Sequence, residues 1–257
     1  MISVDYIFCD IETGPLPMEQ IKAASKPFVP PPHPGEFDPE SVKYGNIIDE
    51  KKRAAKLATA RGAHAADVAK YEKVVAADET KHWAEIQGKA ALFPQTGRLL
   101  AVGYLSGKSG KIVLDVTPDA NDPVREWGML ARFWGQVEKC RIQNRRIVGH
   151  NFHGFDLPFM AGRSWIHGME VPPIFDPPGR PDGKLFVDTM KIWGCGQYNK
   201  YVSLNSLAVA MGVGAKPEGV TGAQFAELLE SDPAVARAYL ENDLRMTAAV
   251  AERMGFK

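Results

Sequence analysis

Cysteine is scarce in this 257-residue sequence: Cys9, Cys140 and Cys195 are the whole complement, and no Cys-x-x-Cys pair occurs. That excludes a disulfide framework and a cysteine-built zinc ribbon, and leads us to expect free, mostly buried thiols in a reducing cytoplasm. Net charge is missing as well, with 31 Lys and Arg against 31 Asp and Glu. A protein that grips nucleic acid by bulk positive charge would show an excess of cations. An enzyme that keeps acidic groups for metal ions and holds its substrate through local patches need not. No apolar run approaches the length of a membrane span. The opening Met1-Ile2-Ser3-Val4-Asp5 lacks the basic start and long apolar stretch of a secretory signal. The expectation is a soluble, cytoplasmic protein. What is present is ordinary, 45% hydrophobic and 24% charged residues, enough for one large core or one core carrying an insertion.

Periodicity sketches the organisation. Residues 4–9 are a short β-prone apolar run ending at Asp10, read as a buried strand. A proline-rich stretch over 27–39 follows. Residues 49–89 are Ala-rich, charged and proline-free, hence helical, with Gly62 and Gly88 as the expected break and end. Residues 99–105 and 111–116 read as a strand pair joined at Gly107–Gly110. Asp122-Pro123 caps a helix running to about 144. A short strand over 146–149, a helix over 157–167, a proline/glycine loop over 172–183, a strand over 185–188 and a helix over 203–211 closed by Gly212 come next. A last long helix starts at Ser231-Asp232-Pro233 and runs to about 254. Strands alternating with helices after an opening strand imply one mixed α/β sheet flanked by helices, with a large helical insertion over 14–96 after the first strand.

Three segments carry carboxylates in suggestive settings. Asp10-Ile11-Glu12 leaves the first strand, and period-two alternation puts both acids on one face while Ile11 packs the other way. Two such carboxylates repel unless a cation lies between them, although a solvated strand end fits the pair equally. In His150-Asn151-Phe152-His153-Gly154-Phe155-Asp156-Leu157-Pro158-Phe159 an acid opens a helix among aromatics, where a plain N-cap is the simpler account. The two histidines lack a Cys or third His at zinc spacing. Tyr239 and Asp243 stand one turn apart on the final helix beside the apolar stripe Leu240, Leu244, Thr247, Ala251 and Met254. A carboxylate bordering a buried face needs a partner, which a hydrogen-bonded Tyr/Asp pair at a core edge would also supply.

Together and in order, these segments resemble the DEDD superfamily of 3′–5′ exonucleases, and within it the proofreading exonuclease of family B DNA polymerases in a stand-alone form. Asp10-Ile11-Glu12-Thr13 is similar to the first exonuclease motif, Asn151-x-x-x-Phe155-Asp156-x-Pro158-Phe159 to the second, and Tyr239-x-x-x-Asp243 to the third. Ala238 stands where the histidine subclass would carry His, so the resemblance is to the tyrosine subclass. Ser203-Leu204-Asn205-Ser206-Leu207-Ala208 and Val187-Asp188-Thr189 resemble further family segments. The likeness covers residues 3–13 and 97–255, and more than 80 residues intervene after motif one where compact relatives have a short turn.

The resemblance implies a ribonuclease H-like fold and hydrolysis of phosphodiesters from a 3′ end with release of nucleoside 5′-monophosphates. It implies two Mg²⁺ or Mn²⁺ ions about 4 Å apart. Asp10 would bridge them, Glu12 and Asp243 would complete the nucleophile-side ion, and Asp156 would hold the other, partly through water. All-oxygen ligation favours these ions over zinc. Tyr239, with an ordinary pKa near 10, would orient the attacking water rather than act as a free base. Asn151 and Phe155 would contact the terminal nucleotides, with Leu16 and the Thr13 backbone lining the same pocket. Single-stranded DNA is the expected substrate. No motif reads the 2′-hydroxyl, so RNA stays open. A non-catalytic nucleic-acid-binding module would be expected to have lost a ligand, and all four carboxylates and the tyrosine are present.

Overall fold

The computed structural model describes residues 5–118, 122–173, 175–176, 180–195, 197, 201–217 and 221–256. Val4, the expected start of the first strand, lies outside them. Strand β1 spans Tyr6–Pro15, so it does not stop at Asp10 as expected. The reason is its partner. An antiparallel ladder of nine residue pairs with β2 (Gly97–Ser106) runs from Ile7↔Ser106 to Pro15↔Gly97 and carries both acids in mid-strand. Pro15 ends the strand, where its missing N–H costs no ladder bond.

After β1 come α1 (Met18–Ala24) and α2 (Glu50–Ala90), then β2, β3 (Ile112–Val116), α3 (Pro123–Ile142) and β4 (Arg146–Gly149). Next are α4 (Asp156–Ile166), β5 (Phe175–Asp176), β6 (Arg180–Pro181), β7 (Phe186–Asp188) and α5 (Thr189–Trp193). The chain closes with α6 (Leu204–Met211), α7 (Phe225–Ser231) and α8 (Pro233–Arg253). The proline/glycine loop expected over 172–183 contains the small β5/β6 pair. The caps are the expected ones. Asp122 accepts from Val124 N at 2.9 Å, Ser203 from Ser206 N at 3.1 Å, and Gly212 ends α6 at φ 65°.

The main sheet has the order β3-β2-β1-β4-β7. β3, β2 and β1 pair antiparallel, while β1/β4 and β4/β7 are parallel. This is the mixed α/β sheet the sequence implied. Alternation along β1 splits its residues between two cores. Ile7, Cys9 and Ile11 join Met129, Leu130 and Phe133 of α3 and Leu157, Phe159 and Met160 of α4. Phe8 packs on the other face with Leu244 and Ala251 of α8. The ladder shifts register between Glu12 and Thr13, so Leu100 and Ala101 of β2 both turn toward Tyr239 and Leu240. α8 approaches the sheet closely over Gly103, where a Cβ would lie 2.7 Å from Leu244 Cδ1. Gly103 is the β2 residue paired with Asp10, so the helix settles directly beside that acid.

The chain divides into two compact units, residues 1–24 with 89–257, and residues 25–88, the latter inside the 14–96 span expected as an insertion. The second unit is built on α2. Gly62 and Gly88 neither break nor end this helix. Each costs about 1 kcal/mol against Ala, less than its many strong helix formers and its covered face supply. The cover is the preceding proline-rich chain, running antiparallel along it. Tyr71 Oη donates to Pro31 O at 2.7 Å, the His33 and Phe37 rings meet Tyr71 and His64, and Arg61 and Arg53 lie over Phe37 and Tyr44. Both arginines are thus partly engaged with this cover. No helix among the described residues is long and apolar enough to cross a membrane.

Candidate active site

Two elements bring three of the sequence-predicted acids together. β1 supplies Asp10 and Glu12 on the face toward α8, and α8 supplies Tyr239 and Asp243 one turn apart. Ligand oxygens of Asp10, Glu12 and Asp243 lie within 4.8 Å of one another. Asp156, at the first turn of α4, falls outside that triangle. β4 ends at Gly149, leaving the facing edge of β1 without a strand partner, and Asp156 Oδ1 accepts the Ile11 N–H at 3.2 Å. It still stands close enough for its charge to act on Asp10.

The fourth wall was not foreseen. Lys216 Nζ donates to Tyr239 Oη at 2.6 Å and to Asp243 Oδ2, and lies 4.6 Å from the Tyr239 ring centroid. Its backbone N–H is fixed by Asn205 Oδ1 at 2.7 Å. Lys216 sits in an irregular stretch after α6, and no periodicity or spacing in the sequence marks it. Gly222 roofs the cluster. A Cβ there would lie 3.5 Å from Glu12 Oε2 and 3.6 Å from Tyr239 Oη.

Electrostatically the cluster is under-neutralised. Burial and then repulsion from Asp156 and Asp243 raise Asp10 well above the usual carboxylate range, with Lys216 opposing. Asp10 keeps partial contact with solvent. Glu12 is raised by burial and by Asp10 and Asp243. Asp243 is raised by burial against the pull of Lys216 and a Tyr239 hydrogen bond, and its Oδ1 is buried with no hydrogen-bond partner among the described residues. Burial lifts Asp156 to about 7 despite its two backbone N–H bonds. Tyr239 is pushed up to about 12 by burial first, so its phenol stays protonated and cannot serve as a base near neutrality. Lys216 is raised by its contacts with Asp243 and Tyr239, which outweigh its burial, and stays an ammonium. Three crowded carboxylates and a buried oxygen without a donor are what a hard divalent cation would satisfy. The donor set fits Mg²⁺ or Mn²⁺.

The expected substrate residues fall in three places. Asn151 adopts φ 59° in the turn before α4, with its Oδ1 2.4 Å from where a Gly154 Cβ would be. Phe155, half-buried, packs against the core with its ring 5.6 Å from Phe159. Thr13 donates its hydroxyl to Ala91 O at 2.8 Å. Leu16 lines a cleft of about 480 Å³ with Arg98, Glu126 and Arg163. His150 of the second motif is held structurally, between Thr189 Oγ1 at 2.9 Å and Val202 O at 2.8 Å.

The family described as predicted 3′–5′ exonucleases related to the exonuclease domain of PolB matches residues 95–254. Among solved structures, the family B DNA polymerase from the hyperthermophilic archaeon Pyrobaculum calidifontis is similar over 65% of this chain, with 20% identity and a TM-score of 0.50. At that identity the likeness shows the fold alone, and this chain spans 23% of that polymerase's length. No curated protein matches the chain.

Proposed function

We propose, for a chain that belongs to the family of predicted 3′–5′ exonucleases related to the exonuclease domain of PolB, that it hydrolyses single-stranded DNA from the 3′ end in a reaction dependent on two Mg²⁺ or Mn²⁺ ions. The observation carrying this reading is the convergence of Asp10, Glu12 and Asp243 within 4.8 Å, with too little positive charge to balance them. These three would hold one cation, Asp10 would share it with a second, and Asp156 would reach that second ion through water. When bound, the metal supplies Lewis-acid charge at the scissile phosphate and a water acidic enough to attack near neutral pH.

The chain's own groups do the rest. Tyr239, protonated and fixed by Lys216, directs a hydrogen bond at the attacking water and orients it. The Lys216 ammonium offsets the repulsion between acids and sets the Tyr239–Asp243 geometry. Asn151 and Phe155, standing just before Asp156, meet the terminal nucleotide, with Phe155 offering a ring for base stacking. Thr13 contributes through its backbone, since its hydroxyl is already spent on Ala91 O. Leu16 lines the separate cleft beside Glu126 and Arg163 and is not part of this groove. In this reading the chain is one exonuclease domain, interrupted between its first two strands by the 25–88 unit.

Digestion of 5′-labelled and 3′-labelled oligonucleotides of matched DNA and RNA sequence, with Mg²⁺ or with EDTA, tests the proposal. Stepwise shortening of the 5′-labelled DNA and immediate release of a labelled mononucleotide from its 3′ end, both lost in EDTA, are the expected results. Faster loss of RNA than DNA would reassign the substrate. Binding without cleavage would reassign the chain as a nucleic-acid-binding module.

A further inference from the structure

We infer that Asp188 is a positioning residue for the proposed reaction, holding the 151–155 turn so that Asn151 and Phe155 face the terminal nucleotide. The inference rests on the exonuclease reading and adds to it a residue that makes no contact with the acid cluster's ligand oxygens.

Asp188 ends β7 and is 3% exposed. A buried carboxylate must be met by hydrogen bonds. Here every one comes from backbone. Its Oδ1 accepts from Met190 N at 3.0 Å and Lys191 N at 3.4 Å, the usual duty of an N-cap at the start of α5. The same oxygen also accepts from Asn151 N at 3.1 Å, and Oδ2 accepts from His153 N at 2.9 Å. Those two bonds cross 37 and 35 residues of sequence and have nothing to do with capping α5, for which Ser or Asn would serve. They are possible because β4 and β7 end side by side, Gly149 opposite Asp188. The turn leaving β4 therefore starts beside this carboxylate.

The turn it ties down is a demanding one. Asn151 is left-handed at φ 59°, a region that costs a non-glycine residue free energy unless its surroundings enforce it. Asn151 O then accepts from both Gly154 N at 3.0 Å and Phe155 N at 2.9 Å, folding its side chain over Gly154, where no Cβ fits. N–H groups of Asn151 and His153 fixed on one carboxylate set the backbone on either side of Phe152. That determines where Asn151 and Phe155 project. Asp156, by contrast, has its own tether to Ile11 N. Loss of Asp188 should therefore disturb the grip on the substrate more than the metal ligands.

The test separates capping from positioning. Asp188→Ser keeps a cap for α5 but is too short to reach the turn. Asp188→Asn keeps one oxygen and sets an amide N–H₂ against a backbone N–H. In steady-state digestion of a 5′-labelled oligothymidylate, Asp188→Ser should raise KM roughly tenfold with little change in kcat. Asp188→Asn should raise it less, and carries the test alone if the serine variant does not fold. Combined with Asn151→Ala, Asp188→Ser should raise KM by less than the product of the two single effects, because one of the two residues it positions is already gone. Mn²⁺ affinity should move far less than KM in both single variants, since Asp188 acts on the ligand set only through its charge near Asp156. An unmoved KM, a fall confined to kcat, or full additivity with Asn151→Ala would overturn the inference while leaving the exonuclease intact. A wild-type protein that releases no mononucleotide would instead overturn the proposed function, and this inference with it.

Discussion

Two buried charge clusters lie on opposite faces of the same sheet, and their contrast is instructive. On the α3/α4 face, Glu126 (6% exposed) meets Arg163 (4% exposed) in a two-pronged pair. It also accepts from Leu99 N at 2.8 Å and contacts His167 Nε2 at 2.8 Å, while Arg163 Nη1 finds Pro94 O at 2.9 Å. Burial alone would raise Glu126, but Arg163, His167 and Leu99 outweigh it, and its pKa is lowered. On the α8 face, Asp10, Glu12 and Asp243 share Lys216, their pKa values are raised, and Asp243 Oδ1 has no partner among the described residues. Similar burial thus gives opposite shifts, depending on whether the protein completes the coordination itself. The first cluster is finished architecture. The second leaves the unmet charge that the proposed metal ions would satisfy.

Substitutions can break this contrast. The largest effect expected is from Asp10→Ala, which should abolish Mg²⁺-dependent mononucleotide release. By removing a mutually repelled carboxylate, it should also raise the melting temperature of the protein in EDTA. Retained activity would refute Asp10 as a ligand. Glu126→Ala should do the reverse, leaving Arg163 buried without its partner at a cost of about 3–5 kcal/mol in chemical denaturation. The kcat of whatever remains folded should be little changed. A smaller effect, about tenfold in kcat with Mn²⁺ affinity intact, is expected for Tyr239→Phe, which removes an orienting hydrogen bond rather than a base.

The smallest is a pH effect on stability in EDTA. Asp156 is raised from 3.8 to about 7, so its contribution is fully present below the unfolded value and lost as pH rises through about 7. Glu126 is lowered, so its contribution is present above the ordinary carboxylate value and lost as pH falls through its folded one. Melting temperature should therefore decline from about pH 5 to about pH 7 without metal, and Mn²⁺ should flatten that decline. An unchanged slope would separate the raised pKa values from metal binding.

How much of this the sequence disclosed follows from the range of each interaction. Local signals were readable. Asp122-Pro123, Ser203 and Gly212 mark their helix ends as expected, and alternation put Asp10 and Glu12 opposite Ile11. The one-turn spacing of Tyr239 and Asp243 placed both on the sheet-facing side of α8. Features set by partners distant in sequence were not. The length of β1 depends on β2, more than 80 residues on, so the acids lie in mid-strand rather than at its exit. Gly62 and Gly88 are tolerated in α2 because the rest of the helix and its proline-rich cover override their propensity. Lys216 reaches the site from an irregular segment, and Glu126, Arg163 and His167 converge from two helices with no motif between them. Asp188 was legible as a strand end but not as the tie to Asn151 and His153.

Titration of Mn²⁺ into the metal-free protein near pH 7 by calorimetry, repeated in buffers of differing ionisation enthalpy, tests most directly whether the α8-face cluster awaits a cation. Binding with an apparent enthalpy that varies between buffers is predicted, because Asp156, lifted to about 7 by burial, must release its proton when the metal binds. Asp10→Ala should weaken that binding, and Glu126→Gln should not. Absence of binding, or binding in the wild type untouched by Asp10→Ala, would contradict the account.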